Sequence, residues 1–240
     1  MRLFLLSLTL LMPTPAATAA AADSDYSTKE TRALMHSYAK CVVKRQPAKA
    51  SEAILANVDN AVIMRRYPML LVSDCLANAA PEGVSMRFTG DLYRYALADA
   101  LVNRELAAWR PTDLAAVPRL VHRDPGQPPS RVSPSGKRQG KRKYEAAVEA
   151  YGREAAYAYL SRYGECVARV DAAGAKALLL TGPDTPQETA AFAALRPALE
   201  RCLEEGRTLR FGRVTLRGSI AINFYRLAHS ARAAATGTAG

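Results

Sequence analysis

The sequence predicts an all-α fold: two similar disulfide-stapled four-helix units joined by a long basic Pro/Gly-rich linker. Three observations predict it. A cysteine-bearing pattern occurs twice, since Tyr38-x-x-Cys41-Val42 returns as Tyr163-x-x-Cys166-Val167 and Cys75-Leu76 returns as Cys202-Leu203. Apolar residues recur at i, i+3, i+4 and i+7 in both halves, which is the period of a helix face. Between the halves the composition turns to proline, glycine and basic residues, the signature of a connecting segment. The match extends further along the chain: Arg87-Phe88, Arg94 and Ala98 return as Arg210-Phe211, Arg217 and Ala221. The offsets between matching blocks are 125, 127 and 123 residues, so the length differences fall between blocks, where loops absorb them.

Residues 1–22 are expected to be a secretory signal peptide. Arg2 supplies the charged start, residues 3–12 (LFLLSLTLLM) the apolar stretch, and the alanine-rich run to Ala22 offers A-x-A cleavage sites. That stretch is well short of the roughly 20 residues that span a bilayer, and no later segment is long and apolar enough to do so. The expected compartment is therefore periplasmic or extracellular. Four cysteines in an exported chain suggest two disulfides, for which sequence alone permits three pairings. The repeated layout selects Cys41 with Cys75 and Cys166 with Cys202, because each unit then carries its own bridge. A metal site is not expected. The chain has no C-x-x-C, and His36, His122 and His229 do not stand at zinc-ligand spacing from the cysteines.

The first unit spans residues 25–109. Ser27-Thr28-Lys29-Glu30 reads as a capping box, and the helix it opens puts Leu34, Tyr38, Cys41 and Val42 on one face. Pro47 opens a second helix carrying Ile54 and Leu55, and a third is expected from about residue 59 to Cys75, kinked or interrupted by Pro68. An extended stretch at 84–88 leads to a last helix, Arg94-x-x-Leu97-Ala98-x-x-Leu101-Val102.

The second unit spans residues 144–229 and repeats the order. Tyr159, Tyr163, Cys166, Val167 and Val170 mark its first helix face, and Asp171 opens a short helix with Leu179 and Leu180. Thr185-Pro186-Gln187-Glu188 is a second capping box, starting a helix with Phe192, Leu195, Leu199 and Cys202 on its face, and Pro197 should interrupt it. After an extended stretch at 208–211, Arg217-x-x-Ile220-Ala221-x-x-Phe224-Tyr225 matches the closing helix of the first unit. Residues 230–240 are expected to be a frayed tail.

The linker, residues 110–143, holds nine Lys/Arg against two Asp, a net +7 of the chain's formal +11. A short docked turn is expected at 114–121 and disorder at 124–140. Its basic run, Lys137, Arg138, Lys141, Arg142 and Lys143, reads either as a polyanion-binding element or as a solvated spacer. The run has no interleaved aromatics and fits no nucleic-acid motif, so nucleic acid is not the expected partner. The arginines Arg87, Arg94, Arg210 and Arg217 are candidates for binding a carboxylate or phosphate. The structural alternative, which is favoured, has them satisfying helix-terminal carbonyls or acids such as Asp91 and Glu204. Tyr144, Tyr151, Tyr157, Tyr159 and Tyr163 form a dense tyrosine set that serves packing or recognition, and Trp109 is expected to plug the end of the first unit.

No catalytic signature is present. The chain lacks H-E-x-x-H, G-x-S-x-G, a phosphate-cradling glycine loop and a dinucleotide fingerprint, so no cofactor and no catalytic residue is assigned. His36 lies off the Leu34–Tyr38–Cys41 stripe and is expected to be exposed, His122 falls in the linker, and His229 at the frayed end. The expected function is an exported non-catalytic binding or scaffold protein of the cell envelope. Its partner would be an unidentified protein or an anionic envelope component. Two alternatives are a polyanion-binding protein acting through the linker and a hydrolase whose site forms only in three dimensions.

Overall fold

The computed structural model describes residues 29–79, 90–111, 114–132, 135–205 and 211–237. Ten helices are described: α1 (Lys29–Arg45), α2 (Pro47–Leu55), α3 (Asn60–Arg66), α4 (Ser73–Ala79), α5 (Leu92–Glu105), α6 (Lys141–Val170), α7 (Ala172–Leu179), α8 (Pro186–Ala194), α9 (Arg196–Cys202) and α10 (Arg213–Ala235). Among the described residues there is no strand, only one isolated antiparallel bridge between Val132 and Arg138. The signal segment, the Ser27 cap, the 84–88 stretch and all but Phe211 of the 208–211 stretch lie outside the described residues, as do Arg87 and Arg210.

The local signals for helix starts act as their chemistry requires. Asp59 caps α3 by accepting from the Val62 amide at 2.7 Å, and Asp171 caps α7 by accepting from the Gly174 amide at 2.7 Å. Thr185 caps α8 through its hydroxyl, which accepts from the Glu188 amide at 3.1 Å. Glu188 does not reach back to the Thr185 amide as a standard box would. Its Oε2 accepts from the Asp184 amide at 2.8 Å, and its other oxygen is taken by Arg217. Each proline breaks its helix. The expected long third helix is α3, a 3₁₀ turn at Pro68–Leu70, and α4. In the second half, α8 ends at Ala194 and α9 starts with Pro197 in its first turn.

Both expected bridges are present. Cys41–Cys75 joins α1 to α4 and Cys166–Cys202 joins α6 to α9, with Cα separations of 5.6 and 5.8 Å. Each closes a loop of about 35 residues, which in the chain-entropy account stabilises by about 3.5–4 kcal/mol. A tyrosine one turn before each first cysteine ties the same pair of segments. Tyr38 accepts from the Val72 amide at 3.0 Å, and Tyr163 donates to the Leu199 carbonyl at 2.8 Å.

The halves share one continuous core. The long helices lie in the order α1, α5, α10, α6, with the closing helices α5 and α10 packed on each other at the centre. The short helices cover this layer, α2 on α5 and α7 on α10. Close approach at the centre depends on glycine. A Cβ on Gly218 of α10 would lie 2.0 Å from Cγ of the Tyr95 ring on α5, and one on Gly164 of α6 would lie 2.6 Å from the Ser219 carbonyl oxygen. Trp109 packs edge-on against Phe224 with ring centroids 5.9 Å apart, closing the end of α5 over α10.

Four sequence expectations need correction. The docked part of the linker is longer than a turn at 114–121. Leu114 is buried, and the segment to Arg123 is tied to α6 and α10 by side chains. Beyond it, the Val132–Arg138 bridge and a Gln139 amide donating to Arg131 O at 2.9 Å order part of the stretch expected to be disordered. The tail is not frayed from 230, because α10 runs on to Ala235. The second unit's first helix starts at Lys141 rather than near Tyr144, so Lys141, Arg142 and Lys143 form its first turn.

Candidate functional site

A cleft of about 380 Å³ opens where α1, α5, the α7–α8 turn and the start of α10 meet. It lies between the two halves and draws on both. Met35 of α1, Leu92 and Ala96 of α5, Pro183 and Val214 form its apolar walls, with Tyr95 leaning in from α5. Most of the polar lining residues are locked to one another.

Arg217 anchors this network. It comes from the first two turns of α10 and is 6% exposed. Its Nε and Nη2 donate to Asp99 Oδ1 of α5 at 3.1 and 2.8 Å, and its Nη1 donates to Glu188 Oε1 of α8 at 3.0 Å. Its remaining N–H groups go to the Leu178, Leu179 and Thr181 carbonyls, the unsatisfied end of α7. This is the structural role weighed for the paired arginines, played through two acids the sequence reading did not name. At the rim, Arg32 of α1 grips Asp184 with two hydrogen bonds of 2.5 and 2.9 Å. The Asp184 hydrogen bond raises the Arg32 pKa further above its ordinary value, against a smaller effect of burial.

Two polar atoms stay outside this closure. Asp99 is 4% exposed, and its Oδ2 accepts no hydrogen bond. His36 lies beside it, with Nδ1 3.2 Å from Oδ2 but not aligned to donate. His36 is thus a part-buried cleft residue and not the exposed one expected. It faces Asp99 of α5 because it stands one turn beyond Arg32 on the flank of α1 that lines the cleft. A helical wheel of α1 alone cannot show that contact.

The other arginines divide. Arg94, the counterpart of Arg217, is fully buried away from the cleft. It donates to Asn57 Oδ1 at 2.6 Å and lies under the Tyr157 ring at 5.0 Å, while its Nε and Nη1 have no hydrogen-bond partner. Asp91 is 3.8 Å from Nη1, and burial raises the carboxyl pKa there. Arg94 and Arg217 thus have different surroundings, and Arg87 and Arg210 lie outside the described residues.

Lys137, Arg138, Lys141, Arg142 and Lys143 are all exposed, at the bridge-closed turn and on the first turn of α6. That turn contains no acid, so three cations crowd the positive end of the helix dipole.

The other two histidines also have partners. His122 pairs closely with Glu165 and lies 2.9 Å from Ser161 Oγ through its other nitrogen. His229 is 3.3 Å from Glu105, which also accepts from the Tyr225 hydroxyl at 2.6 Å. Among the described residues, no three His, Cys, Asp or Glu side chains come together as a metal-ion site, and no helix is long and apolar enough to cross a membrane. No family model, curated protein or solved structure matches the chain.

Proposed function

We propose that the chain is an exported, non-catalytic binding protein whose ligand sits in the cleft between its halves. The observation that carries this reading is the cleft itself, a concave site of about 380 Å³ with apolar walls and a few fixed polar groups. That is the usual character of a small-molecule site. Export is supported by the expected signal segment together with two disulfides, since bridges persist in oxidising compartments. Duplication of one unit supplies the architecture. The recurring helix order, the bridge in each half and the Arg94–Arg217 correspondence support it, and the cleft then lies where the copies meet. Among the described lining residues there is no serine, threonine or cysteine, so a hydrolase site there would have no hydroxyl or thiol nucleophile of those types.

The test is a titration with the neutral fluorescent amphiphile N-phenyl-1-naphthylamine. The wild type should give saturable emission at one site per chain. Ala96→Trp, which fills the cleft from the α5 wall, should abolish it while the helical circular dichroism stays unchanged. Absence of saturable emission, or equal emission from the filled variant, would reject the cleft as the site.

A second reading has its own observation. Five exposed basic residues cluster at the start of α6, where helix-dipole energetics favour acids. In that reading the patch holds an anionic envelope polymer. Replacing Lys137, Arg138, Lys141, Arg142 and Lys143 with glutamine should abolish retention on heparin at low salt and leave the melting temperature within about 2 °C. Unchanged retention would mean that the run is only a solvated element.

A further inference from the structure

We propose that the cleft, if it is the ligand site argued above, selects an amphiphile with a protonated amine head and a short apolar body. The argument starts from charge. On the buried side of the cleft, two carboxylates, Asp99 and Glu188, share one guanidinium, Arg217. Their side chains are only 5% and 4% exposed, so water screens them poorly. The Arg32–Asp184 pair at the rim is internally neutral, and Arg213 at the mouth is exposed and donates to Thr189 Oγ1 at 3.0 Å. The buried side thus holds two carboxylates against one guanidinium.

The hydrogen-bond inventory points the same way. Glu188 uses one oxygen on Arg217 and the other on the Asp184 amide. Asp99 uses only Oδ1, taken twice by Arg217. Oδ2 accepts no hydrogen bond, although His36 Nδ1 stands 3.2 Å away, and it belongs to a residue that lines the cleft. A buried carboxylate oxygen without a donor is unfavourable, so a ligand N–H reaching it gains a charge-assisted bond that the empty protein lacks. An ammonium supplies both a donor and a second positive charge for the two carboxylates. A carboxylate supplies neither and meets Asp99 as a like charge. Beyond the head, Met35, Leu92, Ala96 and Val214 provide an apolar wall for an alkyl or aromatic body.

The test is displacement of bound N-phenyl-1-naphthylamine by three probes with the same chain: octylammonium, octanol and octanoate. Octylammonium should displace at a concentration at least about tenfold lower than octanol, with octanoate the weakest. Asp99→Asn should erase the advantage of octylammonium over octanol. If loss of helical circular dichroism shows that this variant does not fold, Glu188→Gln should reduce the same advantage, and the wild-type series alone already decides the question. Equal displacement by all three probes would overturn the amine selectivity and leave the cleft as a purely apolar site. Preference for octanoate would overturn it in favour of an anion. A failure of N-phenyl-1-naphthylamine itself to bind would reject the cleft reading and this inference together.

Discussion

Glu165 shows how single residues hold this molecule together. It lies in the last third of α6, 6% exposed, and gathers the docked linker. Burial works against its ionisation, but His122, the Leu120 amide and Arg169 outweigh burial and hold its pKa down at about 2. Arg169 in turn donates to the Leu114, Val117 and Pro118 carbonyls, so a chain of charged groups straps residues 114–122 to the helix. A carboxylate whose folded pKa lies below its unfolded value near 4.5 stabilises the fold above that value. The contribution is lost as pH falls towards the folded pKa. Glu165→Gln should therefore unfold at lower urea than wild type at pH 7, by about 1–3 kcal/mol. The gap should close between pH 4.5 and 2. A gap that stays constant down to pH 2 would show that the pairing does not depend on the charge. The sequence could not reveal this residue, because its partners come from a linker 43–45 positions away, whose composition suggests a short docked turn but not the helix it docks on.

Among the elements, α6 carries two glycines with opposite roles, which gives an internal control. Gly152 has open space around its missing side chain, whereas a Cβ at Gly164 would run into the backbone of α10 at Ser219. Gly152→Ala should raise stability by about 0.5–1 kcal/mol through helix propensity. Gly164→Ala should lower it by about 1–3 kcal/mol, because α10 must move away. Urea midpoints of the two variants measure both effects, and equal midpoints would mean that α6 and α10 do not pack as described. The elements were largely legible in the sequence for local reasons. Asp59, Asp171 and Thr185 cap helices with their own side chains, and Pro68 and Pro197 break helices wherever they occur. The extent of α6 and α10 was less legible. Lys141 to Lys143 look like linker by composition, and the alanine-rich residues after His229 look like tail, yet both continue helices whose packed cores lie elsewhere.

At the scale of the whole molecule, the repeated cysteine pattern located both staples and the helix order within each half. It could not show that α5 and α10 pack on each other, because that contact needs only apolar faces of the right size, and both closing helices present them within their own half as well. The cleft follows from that docking. Arg32 and His36 come from the first half and Asp184, Glu188 and Arg217 from the second, so no window of sequence contains the site. The central claim is that one cooperative fold builds one ligand cleft from two halves. Urea unfolding followed by three signals tests it most directly: far-ultraviolet ellipticity, emission of the single tryptophan Trp109, and emission of bound N-phenyl-1-naphthylamine. All three should change at one midpoint, and adding the probe should raise that midpoint for ellipticity and Trp109 alike, since the probe binds only the docked state. Two separate transitions, or probe release well before Trp109 responds, would contradict it.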